Sequence, residues 1–341
     1  MLAGLTDALQ QALDAALSPD GLASGQVRDL RRLSGGASQE TWAFDRVSRG
    51  GTRPLILRRA PPGAAQRGSD GPGLAAEAVL IALAGAAGVP VPEVVAVLRP
   101  EHGLGDGFIM QRLPGETLGR RIAAAHRPAL AWQCGQALAR IHALPAAGLP
   151  ALRCTQPRAE VDHLRQWHAR HGSVRPVFQL ALRWLADHAP GDVSPALVHG
   201  DFRNGNLMVD LDDAVNPLRG VLDWELAYRG DPMADLGWLC VNAWRYGQSQ
   251  RVVGGFGTLD ELCAGYRAAG GQVDADRVFW WQLLGTLRWG VICESMGHAW
   301  ATGAEPVMEK AAIGRRASEN EIDLLALIAP RPAPAAQPGV A

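Results

Sequence analysis

Lysine is almost missing from this chain. Of the 33 basic residues in 341, only Lys310 is a lysine, so cationic work falls to arginine. A phosphate loop of the Gly-x-x-x-x-Gly-Lys type is therefore absent, and Schiff-base chemistry would have to use Lys310. A bias this complete has the look of genome composition. Charge of one sign is also missing: 33 basic residues face 34 acidic ones, for a net charge of −1. That excludes a dedicated nucleic-acid binder and a polybasic membrane anchor. The five cysteines, at 134, 154, 240, 263 and 293, form no Cys-x-x-Cys pair. A disulfide framework or structural zinc site is not expected, and a reducing cytoplasm is the natural compartment. Long apolar runs are missing too. The longest, Ala78 to Pro92, is too short to span a bilayer and carries glycines and a proline. Met1 to Leu17 has no basic n-region and reads as an amphipathic helix capped near Thr6, not as a signal peptide. A soluble protein is expected, and nothing in the chain signals an oligomeric state.

The composition present is globular, with 48% hydrophobic and 20% charged residues. At roughly 150 residues per domain, the length allows about two domains or one large one. Segments 27–33, 40–46 and 54–59 alternate like strands. A polar, Gly/Pro-rich stretch, Ala60 to Gly73, reads as a mobile loop. Leu74 to Ala87 follows as a helix, then strand-like runs at 93–98 and 107–113. This makes an N-terminal lobe, residues 1–112, of a leading helix, five strands and one further helix. From there the pattern turns helical, at 128–144, 160–169 and 177–188. Short strands interrupt it at 196–199, 206–210 and 220–224, and helices resume from Asp231. Residues 113–329 form the second lobe. The Pro/Ala-rich tail, 330–341, reads as disordered.

Chemistry concentrates in Val198–Asp210, VHGDFRNGNLMVD, and Gly220–Leu236, GVLDWELAYRGDPMADL. Asp201, Asn206 and Asp223 supply a carboxylate, an amide oxygen and a second carboxylate at strand ends. Magnesium takes hard oxygen ligands and keeps part of its water shell, so a few such groups plus substrate phosphates suffice. A remaining carboxylate can orient or deprotonate a hydroxyl.

His-Gly-Asp-x-x-x-x-Asn followed by a hydrophobic-Asp-Trp strand resembles the aminoglycoside phosphotransferase and choline kinase-like family, over roughly residues 27 to 325. The resemblance implies an α+β, bilobal, protein-kinase-like fold: a small N-terminal β-sheet lobe and a larger, mostly helical C-terminal lobe. It implies an ATP- and Mg²⁺-dependent kinase acting on a hydroxyl of a small molecule, with Asp201 as catalytic base and Asn206 and Asp223 on Mg²⁺. Gly35, Gly36 and Ser38, between two strands, would cover the ATP phosphates. Arg58 stands where the family usually places a phosphate-binding lysine, and Glu77 matches its glutamate partner. Met110-Gln111-Arg112-Leu113 matches the hinge that reads adenine through the backbone, which places Gln111 and Arg112 at the nucleotide. His199 and Asp235 match residues that support the catalytic loop, and Asp231 reads as a cap for the helix beginning at Pro232.

The acceptor is less defined. Residues 113–341 hold 22 basic and 23 acidic groups, without the carboxylate surplus that a polycationic aminoglycoside would favour. Leu57-Arg58-Arg59-x-Pro-Pro-Gly, Arg288-Trp289-Gly290 and Glu319-Asn320-Glu321 look like the branch fused to some acyl-CoA dehydrogenases. That resemblance implies a hydroxylated acyl metabolite or its CoA ester. An aminoglycoside phosphotransferase and a nucleotide-binding regulatory pseudokinase are the alternatives. Arg288, Glu294 and His298 share one segment and are the polar candidates for acceptor recognition. Trp280, Trp281, Trp289 and Trp300 read as core, with one or two open to lining a substrate cleft. Gly71-Pro-Gly-Leu-Ala-Ala76 lacks the preceding strand that a dinucleotide site needs. His163 and His168 are five apart, off a shared helix face, and with His171 read as a solvated helix end.

Overall fold

The computed structural model describes residues 2–17, 25–35, 39–60, 71–170 and 174–329. Gly36, Ser38, His171, most of the loop expected at 60–73 and the expected tail lie outside the described residues.

The N-terminal part is built on a five-stranded antiparallel sheet. Its strands are β1 (Gly25–Gly35), β2 (Glu40–Ser48), β3 (Gly51–Ala60), β4 (Val94–Val97) and β5 (Asp106–Gln111), in the order β1-β2-β3-β5-β4. Alternation along these strands sorts the side chains onto two faces. Trp42, Phe44, Leu55, Leu57 and Ile109 point to one face and are buried under helix α1 (Leu2–Ala16) through Leu9 and Leu13. Ile56, Arg58, Phe108 and Met110 take the other face, toward helix α2 (Leu74–Ala86) and the rest of the molecule. Helix α1 already includes Thr6, so Thr6 is not its cap. The Leu-Ala-Gly-Leu run before it holds enough helix-forming residues to extend the helix upstream. Asp14 pairs with Arg46 of β2 and fastens α1 to the sheet.

The larger part is mostly helical. It runs through α3 (Gly119–Ala125), α4 (Pro128–His142), α5 (Pro157–Ala169) and α6 (Pro176–Asp187). Four short strands follow, β6 (Ala196–Val198), β7 (Leu207–Val209), β8 (Leu218–Val221) and β9 (Tyr228–Gly230). The sequence pattern predicts three of these; β9, Tyr-Arg-Gly, has no run of apolar residues to mark it as a strand. The four form two ribbons, β6 with β9 and β7 with β8. Helices α7 (Met233–Leu239), α8 (Leu259–Ala268), α9 (Ala275–Ala301), α10 (Met308–Gly314) and α11 (Ala317–Ile328) complete the chain. Helix α9 is the axis on which α5, α6, α7, α10 and α11 pack. Asp231 accepts from the Met233 amide at the start of α7. Its other oxygen takes Arg277 and the Trp281 indole of α9, the latter at 2.8 Å.

Two expectations for the helical part need correction. His168 is buried, with Nδ1 2.6 Å from Glu294, because its face of α5 packs on α9. Of the four tryptophans, Trp280 and Trp281 are core, while Trp300 is 43% exposed near the end of α9, where the neighbouring helices no longer cover it.

Candidate active site

The segment His199-Gly200-Asp201 leaves β6 and turns under the ribbons. Gly200 has φ +81°, and a Cβ there would lie 2.3 Å from the Leu226 carbonyl oxygen, so the turn admits only glycine. The buried Asp235 carboxylate of α7 braces it. Asp235 accepts the backbone N–H of His199 at 2.8 Å and of Gly200 at 2.9 Å. It also meets His142 Nε2 at 3.0 Å, and His142 Nδ1 meets the Tyr266 hydroxyl at 2.8 Å. Burial pushes the Asp235 pKa up, but these hydrogen bonds, led by His142, hold it below the usual carboxylate value.

His199 is fully buried. Its Nε2 faces the Leu222 carbonyl oxygen at 3.1 Å, while Nδ1 accepts the Asp201 N–H at 3.3 Å. A carbonyl can only accept, so the pair of contacts assigns the neutral tautomer with the proton on Nε2. Burial lowers its pKa, opposed by Asp235, Asp201 and Asp223.

Asp201 is gripped from three sides. Oδ1 accepts the Trp238 indole N–H at 2.9 Å and Arg203 Nε at 3.1 Å; Oδ2 accepts Asn206 Nδ2 at 2.6 Å. The Asn206 amide nitrogen also reaches the Asp201 carbonyl, at 2.9 Å. Both donors of that amide point at Asp201, so its Oδ1 points away and is the atom left for a cation. Asp223 lies two residues past the end of β8, not within the strand as alternation suggests, and has φ +65°. Aspartate tolerates that left-handed conformation better than most residues.

Arg58 spans the cleft between the two parts. One Nη lies 3.1 Å from Glu77 and 2.9 Å from Asp223; the other lies 3.0 Å from Gln39 and 3.5 Å from Glu225. Glu77 is buried and also accepts the Trp224 N–H at 3.2 Å. Burial raises its pKa to about 7 despite Arg58, with Asp223 and Glu225 pushing the same way. Glu225 is raised by burial and by Asp223. Arg59, one residue on, points to the opposite face and pairs with Glu40.

Arg58, Glu77, Met110, Gln111, Asn206 and Asp223 line one cleft of about 370 Å³. The N–H groups of Gln111 and Arg112 are already committed, to Glu93 O at 2.8 Å and Pro54 O at 3.0 Å. The Arg112 side chain is tied to Asp45 at 2.6 Å. Gly35 closes β1 opposite Glu40. Arg288 joins the Asp201 cluster. Glu294 and His298 lie about 9 Å and 15 Å further along the same helix axis; Glu294 is held by His168, and His298 is exposed. Sequence reasoning missed Trp238, Arg203, Glu225, His142 and Tyr266. Arg203 and Glu225 stood inside the motifs. His142 and Tyr266 are brought to Asp235 by tertiary packing, which leaves no local signal.

The donor set fits a hard divalent cation: the Asn206 Oδ1 and the carboxylates of Asp223 and Asp201 are all oxygens. Among the described residues no group of three or more His, Cys, Asp or Glu gathers into a metal cage. A cation here would need a phosphate-bearing ligand to complete its shell.

This arrangement, a twisted sheet over a helical part with a carboxylate-lined cleft between, is the protein-kinase-like fold. The chain belongs to the phosphotransferase enzyme family, whose model matches residues 29–271. It is 30% identical over 245 residues to mouse (Mus musculus) acyl-CoA dehydrogenase family member 10, covering 69% of this chain and 22% of that protein. The chain thus spans about a fifth of the length of that relative. Two solved structures share the fold. A choline/ethanolamine kinase family protein from Mesorhizobium loti superposes with a TM-score of 0.64 at 21% identity, over 95% of each chain. The GDP complex of aminoglycoside 2'-phosphotransferase-IIIa gives 0.66 at 16% identity, over 93% of this chain and 99% of that one. Among the described residues no helix is long and apolar enough to cross a membrane.

Proposed function

We propose that this chain is an ATP- and Mg²⁺-dependent kinase that moves the γ-phosphoryl group of ATP to a hydroxyl of a small molecule. The observation that carries this reading is the hydrogen bond from Asn206 to Asp201, which joins the carboxylate suited to a base to the oxygen set suited to a cation. Asp201 orients the acceptor hydroxyl and takes its proton as the oxygen attacks the γ-phosphorus. The bond to the β,γ-bridging oxygen breaks and ADP leaves. Mg²⁺, held by Asn206 and Asp223, supplies charge neutralisation at the phosphates. Arg58 adds fixed positive charge beside them. With the Gln111 and Arg112 N–H groups spent, adenine recognition falls to hinge carbonyls and to Leu113. Fixed dipoles and charges, more than covalent chemistry, supply the rate.

The acceptor we propose is a hydroxylated acyl metabolite or its CoA ester, a reading supported by the likeness to the acyl-CoA dehydrogenase relative. A nucleotide-binding regulatory role is the second reading, favoured by the Arg58–Asp223 contact, which sets a guanidinium on a proposed metal ligand. One experiment separates the two: phosphoryl transfer from ATP–Mg²⁺ to a panel of hydroxylated metabolites, read by mass spectrometry, alongside calorimetric nucleotide binding. Wild-type transfer that Asp201→Asn lowers at least a hundredfold, with the ATP Kd unchanged within threefold, is expected. Binding without any transfer would leave the regulatory reading.

A further inference from the structure

Arg288 stands beside Asp201 with its donors largely unused. Its guanidinium stacks on the Trp238 ring at 5.3 Å, and one Nη is 3.5 Å from the Gly200 carbonyl oxygen. Trp238 donates to Asp201 and Gly200 precedes it in the chain, so Arg288 is next to that carboxylate through both contacts. Guanidinium carries five N–H donors. One long hydrogen bond occupies them here, and among the described residues Arg288 is in no ion pair.

It borders a small recess of about 20 Å³ lined by Trp238, Trp281 and Leu284 together with Glu160, Tyr228 and Asp235. Both carboxylates there are engaged elsewhere. Arg153 holds Glu160, with Arg288 contributing at longer range, and Asp235 is spent on His142 and the loop amides. A half-buried guanidinium without an ion-pair partner has lost part of its hydration and gained little in exchange. On the other flank of Asp201, Arg203 gives only its Nε to that carboxylate and lies over Trp244 at 4.9 Å. Two guanidiniums therefore flank Asp201, each with N–H groups to spare.

We propose that Arg288, assisted by Arg203, is the anion-binding element of the acceptor site. The acceptor then carries a carboxylate or phosphate close to the hydroxyl that is phosphorylated. This rests on the kinase reading above. Planar donors of this kind match a carboxylate or phosphate in bidentate fashion. A polycation would set its ammonium groups against two guanidiniums, and like charges so placed oppose binding.

The test measures calorimetric binding to the ADP-loaded full chain of four probes: 3-hydroxybutyrate, glycerol 3-phosphate, propane-1,3-diol and kanamycin. The two anions separate carboxylate from phosphate. At least one should bind, and Arg288→Met should weaken it tenfold or more while leaving ADP affinity unchanged. Methionine keeps the apolar contact with Trp238 and removes the charge. Arg183→Ala, an exposed cation on α6, should change nothing and controls for net charge. If neither anion binds, or the diol or kanamycin binds more tightly, the proposal is overturned. It also falls if Arg288→Met lowers the Tm alone, which would make Arg288 only the counter-charge of Glu160. Anion binding lost in Arg288→Met, with no transfer to any hydroxyl in the mass-spectrometric panel, would uphold the subsite and sink the kinase reading. Transfer to a neutral or cationic acceptor would do the reverse.

Discussion

Arg58 does what a lysine could not. Its two Nη atoms reach Glu77, Asp223, Gln39 and Glu225 together, and only a forked, planar group has that span. Arg58→Lys keeps the charge but offers one nitrogen. We expect it to lower kcat/KM for ATP by about tenfold, and Arg58→Ala by a hundredfold or more, since a cation beside the transferring group stabilises developing charge. Steady-state kinetics in ATP checks both. A lysine variant as active as wild type would mean the site only tolerates arginine. Glu77, its partner, makes a pH prediction. Its folded pKa of about 7 is above the usual 4.5. Between those values the folded chain holds a proton that the unfolded chain has released, so stability falls as pH rises from about 4.5 to 7. It levels off above that range. Glu77→Gln cannot titrate. The stability of wild type relative to Glu77→Gln should therefore drop by about 3 kcal/mol across that window, read from denaturant unfolding at several pH values. A difference that stays flat with pH would mean that Glu77 titrates normally.

Helices α4 and α8 show why some elements were legible in the sequence and their fit was not. The apolar spacing and leading proline of α4 predict its start at Pro128 and an end within two residues of His142. Strand alternation likewise assigns Arg58 and Arg59 to opposite faces. The His-Gly-Asp motif brings out Asp201 and Asn206 because their chemistry is local to one loop. Contacts between distant segments have no such signature. A Cβ at Gly135 of α4 would lie 2.1 Å from the Leu262 carbonyl oxygen of α8. In an open helix Gly→Ala gains up to about 1 kcal/mol. Here overpacking should reverse the sign, so Gly135→Ala is expected to cost about 2 kcal/mol. Calorimetry should show a Tm lowered by several degrees; an unchanged or raised Tm would mean the helices can move apart freely. Tyr266 of the same α8 reaches Asp235 through His142, so this packing also bears on the brace of the His199–Asp201 loop.

Across the whole molecule, an ionic contact joins the sheet to the helical part at the cleft. Arg58 belongs to β3, and Asp223 and Glu225 follow β8, so one guanidinium joins the two parts where the nucleotide is proposed to sit. In the proposed function Asp223 has two partners, Arg58 and a divalent cation, and nucleotide binding with Mg²⁺ must redistribute its charge between them. Removing that charge should uncouple nucleotide from metal. Asp223→Asn is the cleaner variant for this, because asparagine tolerates φ +65° and keeps an oxygen for Arg58, whereas alanine would add backbone strain. Wild type should bind ATP at least tenfold more tightly with Mg²⁺ than with EDTA. In Asp223→Asn that ratio should fall toward one, with ATP affinity in EDTA unchanged or improved because a repelling carboxylate is gone. Asn206→Ala should reduce the ratio less, having lost a neutral ligand. Calorimetric ATP titrations with and without Mg²⁺ decide it. A Mg²⁺ effect of wild-type size in both variants would place the cation on other oxygens, and Glu225, 3.5 Å from the same guanidinium, would be the carboxylate to examine next.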